Sequence, residues 1–203
     1  MAQWSANINV MLKAIRVAGR AMMRDFKEVD KLQVSKKGPN DFAMRADQRA
    51  EEILQEMLFE ARPNYGFVGT GGIETKGEDP TRRWIVRPLD GIDNFIHGLP
   101  HWSVSIALEY KGSIVAAVVL SPVIEEIFLA EKGAGTWLNE QRVRVSGRTS
   151  LDQMIFATQM PSGSKGDIAT HLKDLARISP SVGGIRCLGA IGLDLAYTAA
   201  GRN

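Results

Sequence analysis

Trp84-Ile85-Val86-Arg87-Pro88-Leu89-Asp90-Gly91-Ile92-Asp93-Asn94-Phe95 is the stretch that decides how this chain is read. Its apolar start predicts a short strand at Trp84 to Val86, and Pro88 and Gly91 predict a turn at the strand's end. Asp90 and Asp93 fall in that turn, where Gly91 permits backbone angles that most residues avoid. Two carboxylates held there have the chemistry to coordinate a hard cation through oxygen. The same residues also describe an Asx turn in which Asn94 caps a short helix, so the pattern leaves a binding and a structural reading open.

Upstream, Phe67-Val68-Gly69 is a second strand candidate, joined to the first by a glycine- and charge-rich loop from Thr70 to Arg83 that is expected to be mobile. Ile8, Leu12, Ile15, Gly19, Met22 and Phe26 recur every three or four residues, which predicts an amphipathic helix with Lys13, Arg16 and Arg20 outward. Lys36 to Asp41 reads as a turn. A helix follows from about Asp47, with Ala50, Ile53, Met57 and Ala61 on one face and Pro63 as its stop.

Downstream, Trp102, Val104, Ile106 and Leu108 alternate with Ser103, Ser105 and Ala107, the period of a strand with one face buried more deeply. Ile114 to Leu120 is continuously apolar, as in a strand covered on both faces. Short strands are predicted at Glu126 to Ala130, Thr136 to Leu138 and Met154 to Thr158. A helix from Asp167 to Ile178, a strand from Gly184 to Leu188 and a helix from Leu193 to Ala200 complete the chain. Helices in blocks and strands in blocks predict an α+β fold rather than a regular βαβ succession.

Composition narrows the function classes. A chain of 203 residues, 44% hydrophobic and 24% charged, is long enough to bury a sizeable core, which excludes general disorder. No apolar run reaches the roughly eighteen residues of a membrane helix, and the start MAQWSANINV lacks a signal peptide's pattern, so no membrane association and a cytoplasmic location are expected. Cys187, the one cysteine, has no partner thiol and is expected to be a small buried residue. The 25 basic and 23 acidic side chains are scattered without a dense Lys/Arg stripe, so direct nucleic-acid binding is not expected.

Four blocks carry a resemblance over the whole chain: Lys36 to Asp47 with Arg49-Ala50-Glu51-Glu52, then Phe67-Val68-Gly69, then Trp84 to Phe95 continuing through His97-Gly98-Leu99-Pro100-His101, and finally Gly184-Ile185-Arg186 with Leu193-Asp194-Leu195-Ala196-Tyr197. In these the sequence closely resembles the inositol monophosphatase family, Mg²⁺-dependent phosphomonoesterases acting on inositol phosphates and related sugar phosphates. The resemblance implies a layered αβαβα sandwich, here lacking its C-terminal portion. It implies a single domain over 1–203, with helices and the large sheet in 1–150 and an incomplete second α/β part in 151–203. It also implies inositol or sugar phosphate as ligand, and a homodimer or a protein partner, since some bacterial members engage the transcription machinery.

Position by position, the resemblance places Asp90 and the backbone carbonyl of Leu89 as metal ligands, and Asp90, Gly91, Gly189 and Ala190 at the substrate. Other family positions are substituted. Thr70 stands where the family has a metal-binding, water-orienting glutamate, with Gly71 beside it. Arg87 replaces a metal-bridging aspartate, and Ile92 replaces a threonine that helps activate water. Met44 lies where a threonine is usual, whereas Lys36, Asp41 and Asp47 remain. Gly189-Ala190-Ile191-Gly192 departs from the usual Gly-Ser/Thr-Ala that holds the substrate.

A cation of charge +1 about 4 Å from one of +2 is repelled by roughly 8 kcal/mol at an effective dielectric near 20. Each lost acid–base position costs about 10² to 10⁴-fold. On this reasoning Mg²⁺ binding is expected to be weak or absent, no intact catalytic residue remains at Thr70 or Ile92, and the chain is expected to be an inactive or severely impaired member with a binding or regulatory role. The alternative is an active phosphatase with a rearranged metal site drawing on Asp90, Asp93 and Glu74 or Glu78. A further possibility is that Arg87 pairs with Asp90 in a metal-free pocket and binds phosphate through its planar guanidinium. His97 and His101, Trp102 and Trp137 read as packing residues.

Overall fold

The structure, a computed structural model, describes residues 4–29, 39–72, 74–161 and 167–203; the turn expected at Lys36 and Lys37 lies outside the described residues. Helix α1 (Ala6–Phe26) starts at Ser5, whose hydroxyl accepts the Ile8 N–H at 3.3 Å. It buries Ile8, Met11, Leu12, Ile15, Ala18 and Met22 while Lys13, Arg16 and Arg20 face water, as the spacing predicts. Helix α2 (Pro39–Ala61) begins at Pro39 rather than near Asp47. Proline suits a first helical turn because its φ is already helical and no N–H is lost to the ladder, so the expected turn signal is a start signal. The buried face of α2 is Ala43, Ala46, Ala50, Leu54 and Leu58, and Ile53 and Met57 lie half-buried beside it. Arg49 ties α2 to Asp25 of α1 at 2.8 Å.

Both helices pack on one face of an eight-stranded sheet. Its strands are β1 (Tyr65–Val68), β2 (Glu74–Thr75), β3 (Asp79–Asp90), β4 (Ser103–Tyr110), β5 (Ser113–Ser121), β6 (Glu126–Glu131), β7 (Gly135–Leu138) and β8 (Gln141–Val143), in the order β2-β1-β3-β4-β5-β6-β7-β8. Only β1 and β3 run parallel; the other pairs are antiparallel. Much of the loop expected to be mobile is ordered: Thr70–Gly72 forms a 3₁₀ turn, and β2 and the start of β3 continue the sheet.

The pleat sends Ala116, Val118 and Leu120 toward α1 and leaves Val115, Ala117 and Val119 half-buried on the other side. Strand β5 is therefore covered more deeply on one face than on the other. Beyond the sheet, a short helix α3 (Ile92–Ile96) follows β3. Parallel strands β9 (Ile155–Ala157) and β10 (Gly184–Arg186) flank helix α4 (Ile168–Ile178), which is capped by Asp167. Helix α5 (Ile191–Ala199) lies against the second face of the large sheet, burying Ala190, Leu193 and Ala196 with Phe128. Cys187, expected in the interior, is exposed at the end of β10. Helices and strands are segregated into layers, so the fold is α+β.

Candidate active site

Strand β3 delivers the deciding turn. Between Arg87 and Asp90 its register against β4 shifts: Arg87 faces Ser105, and Asp90 faces Ser103. The irregularity turns Leu89 and Asp90 inward, 4% and 6% exposed, while Arg87 stays at the surface. Gly91 then takes φ +87°, and a Cβ there would come within 3.0 Å of the His101 carbonyl and 3.2 Å of Ala190 Cβ. Only glycine both adopts that angle and fits the gap. Helix α3 starts at once, with the Phe95 N–H on the Gly91 carbonyl at 2.9 Å.

Long-range bonds join this turn to the distant C-terminal segment. Asp90 Oδ2 accepts the Gly192 N–H at 2.7 Å, satisfying a first-turn donor of α5 that Ala190 has no side chain to cap. Asn94 donates to the carbonyls of His101 at 2.6 Å and Leu188 at 2.7 Å, and Gly189, at φ +79°, leaves room for that amide. Asp90, Gly91, Gly189 and Ala190, expected to act together, are thus brought together, although about a hundred residues separate the two pairs in sequence.

Helix α2 contributes a second acidic group. Burial pushes the Asp47 carboxyl up, and Glu51 adds to the shift. The Thr70 hydroxyl, the Arg87 charge and the Leu89 backbone oppose it. Asp47 Oδ1 and Thr70 Oγ1 are both buried with no hydrogen-bond partner among the described residues. Glu51, one helical turn further on, accepts the Thr70 N–H on Oε2 at 2.7 Å.

Helix α5 carries a third acidic group. Asp194 is 5% exposed, and its Oδ1 has no partner. Burial raises its carboxyl, Asp90 adds to that, and His101 eases it; burial in turn lowers the His101 imidazole. Sequence reasoning assigned no site role to Glu51 or Asp194 and took His101 as packing only. The signal available for Glu51 was its place four residues after Asp47 on a helix, which sets both on one face.

Other expectations are corrected by the geometry. Glu74 is drawn from the site by Arg83, at 3.2 Å, which also binds Glu109 at 2.9 Å. Asp93, Glu78 and Asp41 are exposed, as are Ile92 at 43% and Met44 at 56%. Arg87 makes no ion pair with Asp90 among the described residues, because the register shift points the two in different directions. It lines an open groove of about 720 Å³ together with Thr70 and residues of β4, β5 and α5. His97 is exposed and caps the C-terminus of α3.

The donor set bears directly on a divalent ion. Asp47 offers a carboxylate oxygen with no partner among the described residues, and Asp90 has one oxygen left after binding Gly192. Magnesium commonly uses one or two protein carboxylates together with substrate phosphate and water, so these residues fit one ion. They do not fit the family's fuller cage, because Arg87 and Thr70 bring no carboxylate to it.

An open groove lined by Arg87 and Thr70 lies beside the Asp90 turn at the end of a sheet strand, an arrangement suited to a small ligand. The family model described as "Inositol monophosphatase family" matches residues 4–203. The inositol-1-monophosphatase of Rhizobium meliloti is 48% identical over 198 residues, covering 98% of this chain and 74% of that protein. The Nus factor SuhB of Pseudomonas aeruginosa is 40% identical, covering 96% and 73%. A crystal structure of the extragenic suppressor protein suhB from Bartonella henselae superposes with a TM-score of 0.88 at 46% identity, covering 98% of this chain and 76% of that one. The chain belongs to the inositol monophosphatase family, whose members depend on Mg²⁺. The chain spans about three quarters of the length of these relatives. Their names fit a working phosphatase better than the degenerate protein expected from the substitutions, and the comparisons do not show inactivity.

Proposed function

We propose that this chain, as one domain in the cytoplasm, hydrolyses phosphate monoesters of inositol or a related sugar at a rearranged Mg²⁺ site. The observation that carries this reading is the buried, unpartnered oxygen of Asp47 beside the Asp90 turn and Arg87. Asp47, Asp90 and the Leu89 carbonyl would hold the ion, which when bound acts as a Lewis acid and makes water a better nucleophile. Arg87 presents a planar cation to the phosphoryl oxygens in place of a second ion's charge. Gly91 and Ala190 are buried and serve to close the turn, so the exposed Gly189 and Ile191 beside it meet the alcohol part of the ligand.

A second reading is a severely impaired member retained for binding. The substitutions at Thr70 and Ile92 favour it, and the name Nus factor SuhB carried by relatives supports a protein partner. Phosphate release from inositol monophosphate in the presence of Mg²⁺ tests both. The first reading expects turnover that needs Mg²⁺ and falls at least ~100-fold in Asp90→Asn. Absence of turnover that returns in the triple reversion Thr70→Glu, Arg87→Asp, Ile92→Thr establishes the second.

A further inference from the structure

Helix α1 is an exception to the scatter of charge along the chain. Its exposed charged residues, Lys13, Arg16, Arg20 and Arg24, are all basic, and its one acid, Asp25, is buried and held by Arg49 at 2.8 Å. With four basic residues and one acidic, α1 is more positive than the whole chain, whose net charge is +2. Spacings of three and four residues set the four cations on one stripe, where like charges oppose the helix. The buried apolar face holds α1 in place, so stability gives no reason for the stripe. No ion pair reaches any of the four among the described residues.

The stripe also walls a groove. Lys13, Arg16 and Arg20 line a hollow of about 560 Å³ together with Trp4 and Asn9, and a smaller one of about 270 Å³ adjoins it at Trp4 and Arg16. Trp4 is half-buried and braced by Trp137, with ring centres 5.1 Å apart. The acidic groups on these walls are Glu140 and, in the smaller hollow, Glu125, both exposed. A row of cations beside a braced aromatic ring suits a nucleic-acid strand, which brings phosphates to the cations and a base to the ring. An acidic peptide would use the cations and leave the ring idle. From Lys13 to Arg24 the helix rises about 16 Å, a span on the order of four nucleotides.

We propose that this groove binds single-stranded nucleic acid without regard to sequence, with Lys13, Arg16, Arg20 and Arg24 on phosphates and Trp4 on a base. Helix α1 packs on the face of the sheet opposite the Arg87 groove, so the proposal stands apart from the phosphatase reading. The test is fluorescence anisotropy of labelled oligothymidylate and oligoadenylate, fifteen nucleotides each, on the full chain, with a labelled peptide of fifteen glutamates as a polyanion without bases. The two oligonucleotides should bind within about threefold of each other, and log affinity should fall against log salt with a slope of about −2 to −3, roughly −0.7 per phosphate neutralised. Arg16→Ala combined with Arg20→Ala should weaken both at least ~10-fold and make the slope shallower by about 1.4. Circular dichroism melts should not fall, since both side chains are in water.

The base contact is read in the parent chain, as quenching of tryptophan emission by the oligonucleotides and not by the glutamate peptide. Trp84 and Trp102 are wholly buried, so that signal belongs to Trp4 and the neighbouring Trp137. Absence of binding at 50 mM salt, or a slope that the double variant leaves unchanged, overturns the proposal. A glutamate peptide that binds as tightly as the oligonucleotides, or oligonucleotide binding without quenching, overturns it too and makes the partner an acidic protein segment.

Discussion

The two faces of the large sheet are built from the same strands and have different fates. Toward α1 and α2, Trp84, Trp102, Val104, Ile106, Leu108, Ala116 and Val118 are almost wholly out of water. One residue along each strand, Ile85, Ser105, Ala107, Ala117 and Val119 remain half-buried around an open groove, met from above by Leu195, Ala196 and Ala199 of α5. A strand's alternation tells which residues share a face; how deeply each face is buried depends on what the rest of the chain lays over it. The site sits on the border, with Leu89 and Asp90 turned to the packed side and Arg87 to the open one.

The comparison breaks first on stability. Trp84→Ala on the packed face should cost about 3–5 kcal/mol, because it removes an aromatic side chain from a filled core. Val119→Ala on the open face should cost about 1 kcal/mol or less, since the lost methyl groups were half in water. Urea denaturation of the two variants measures both, and equal costs would mean that the faces are packed alike. On the border itself, Asp90→Asn should lower phosphate release at least ~100-fold while changing the urea midpoint little, because the amide oxygen can still accept the Gly192 N–H. A large stability loss with activity intact would make Asp90 a helix cap and nothing more.

These differences mark how far the sequence could be read. The spacing of Ile8, Ile15 and Met22 and the alternation from Val104 to Leu108 are local patterns, and both elements form as predicted. The start of α2 was misread because Gly38-Pro39 signals a turn and a helix entry with the same residues. Asp90, Gly91, Gly189 and Ala190 were legible through family resemblance. Their juxtaposition through Gly192 and Asn94 is a tertiary contact that no local period encodes. Arg87 was legible as a misplaced charge, yet its outward direction follows from a register shift against β4 that only pairing reveals. Glu74 looked available as a ligand until Arg83 was placed beside it.

A smaller effect separates Asp194 of α5 and the neighbouring His101 from the rest. Burial raises the Asp194 carboxyl, so the folded state holds that proton more tightly than the unfolded chain does. The stabilising contribution is therefore fully present below the ordinary value of 3.8 and is lost as pH rises through the raised one. His101 runs the other way: burial lowers its imidazole, so its contribution is present above 6.5 and is lost as pH falls through the lowered value. Asp194→Asn should therefore gain stability relative to the parent between pH 4 and pH 7. Urea midpoints at the two pH values check this, and a constant difference would show that burial does not govern Asp194.

The smallest expected effect concerns how the C-terminal segment is fastened to the open face. Arg202 reaches Glu126 of β6 through two nitrogens, at 2.7 and 2.5 Å, and its guanidinium lies 4.8 Å from the Tyr197 ring centre and 5.6 Å from that of Phe128. The Arg202 side chain is 38% exposed and that of Glu126 18%, so solvent screens much of the attraction; Arg202→Ala should cost only about 0.5–1 kcal/mol. What matters is where the loss is felt. If α5 is held to the open face mainly from its two ends, by Asp90 at the start and Arg202 beyond the finish, then amide exchange in α5 should quicken by about that free energy while β4 and β5 keep their protection. Uniform quickening across α5 and the sheet would mean that the two faces open as one unit.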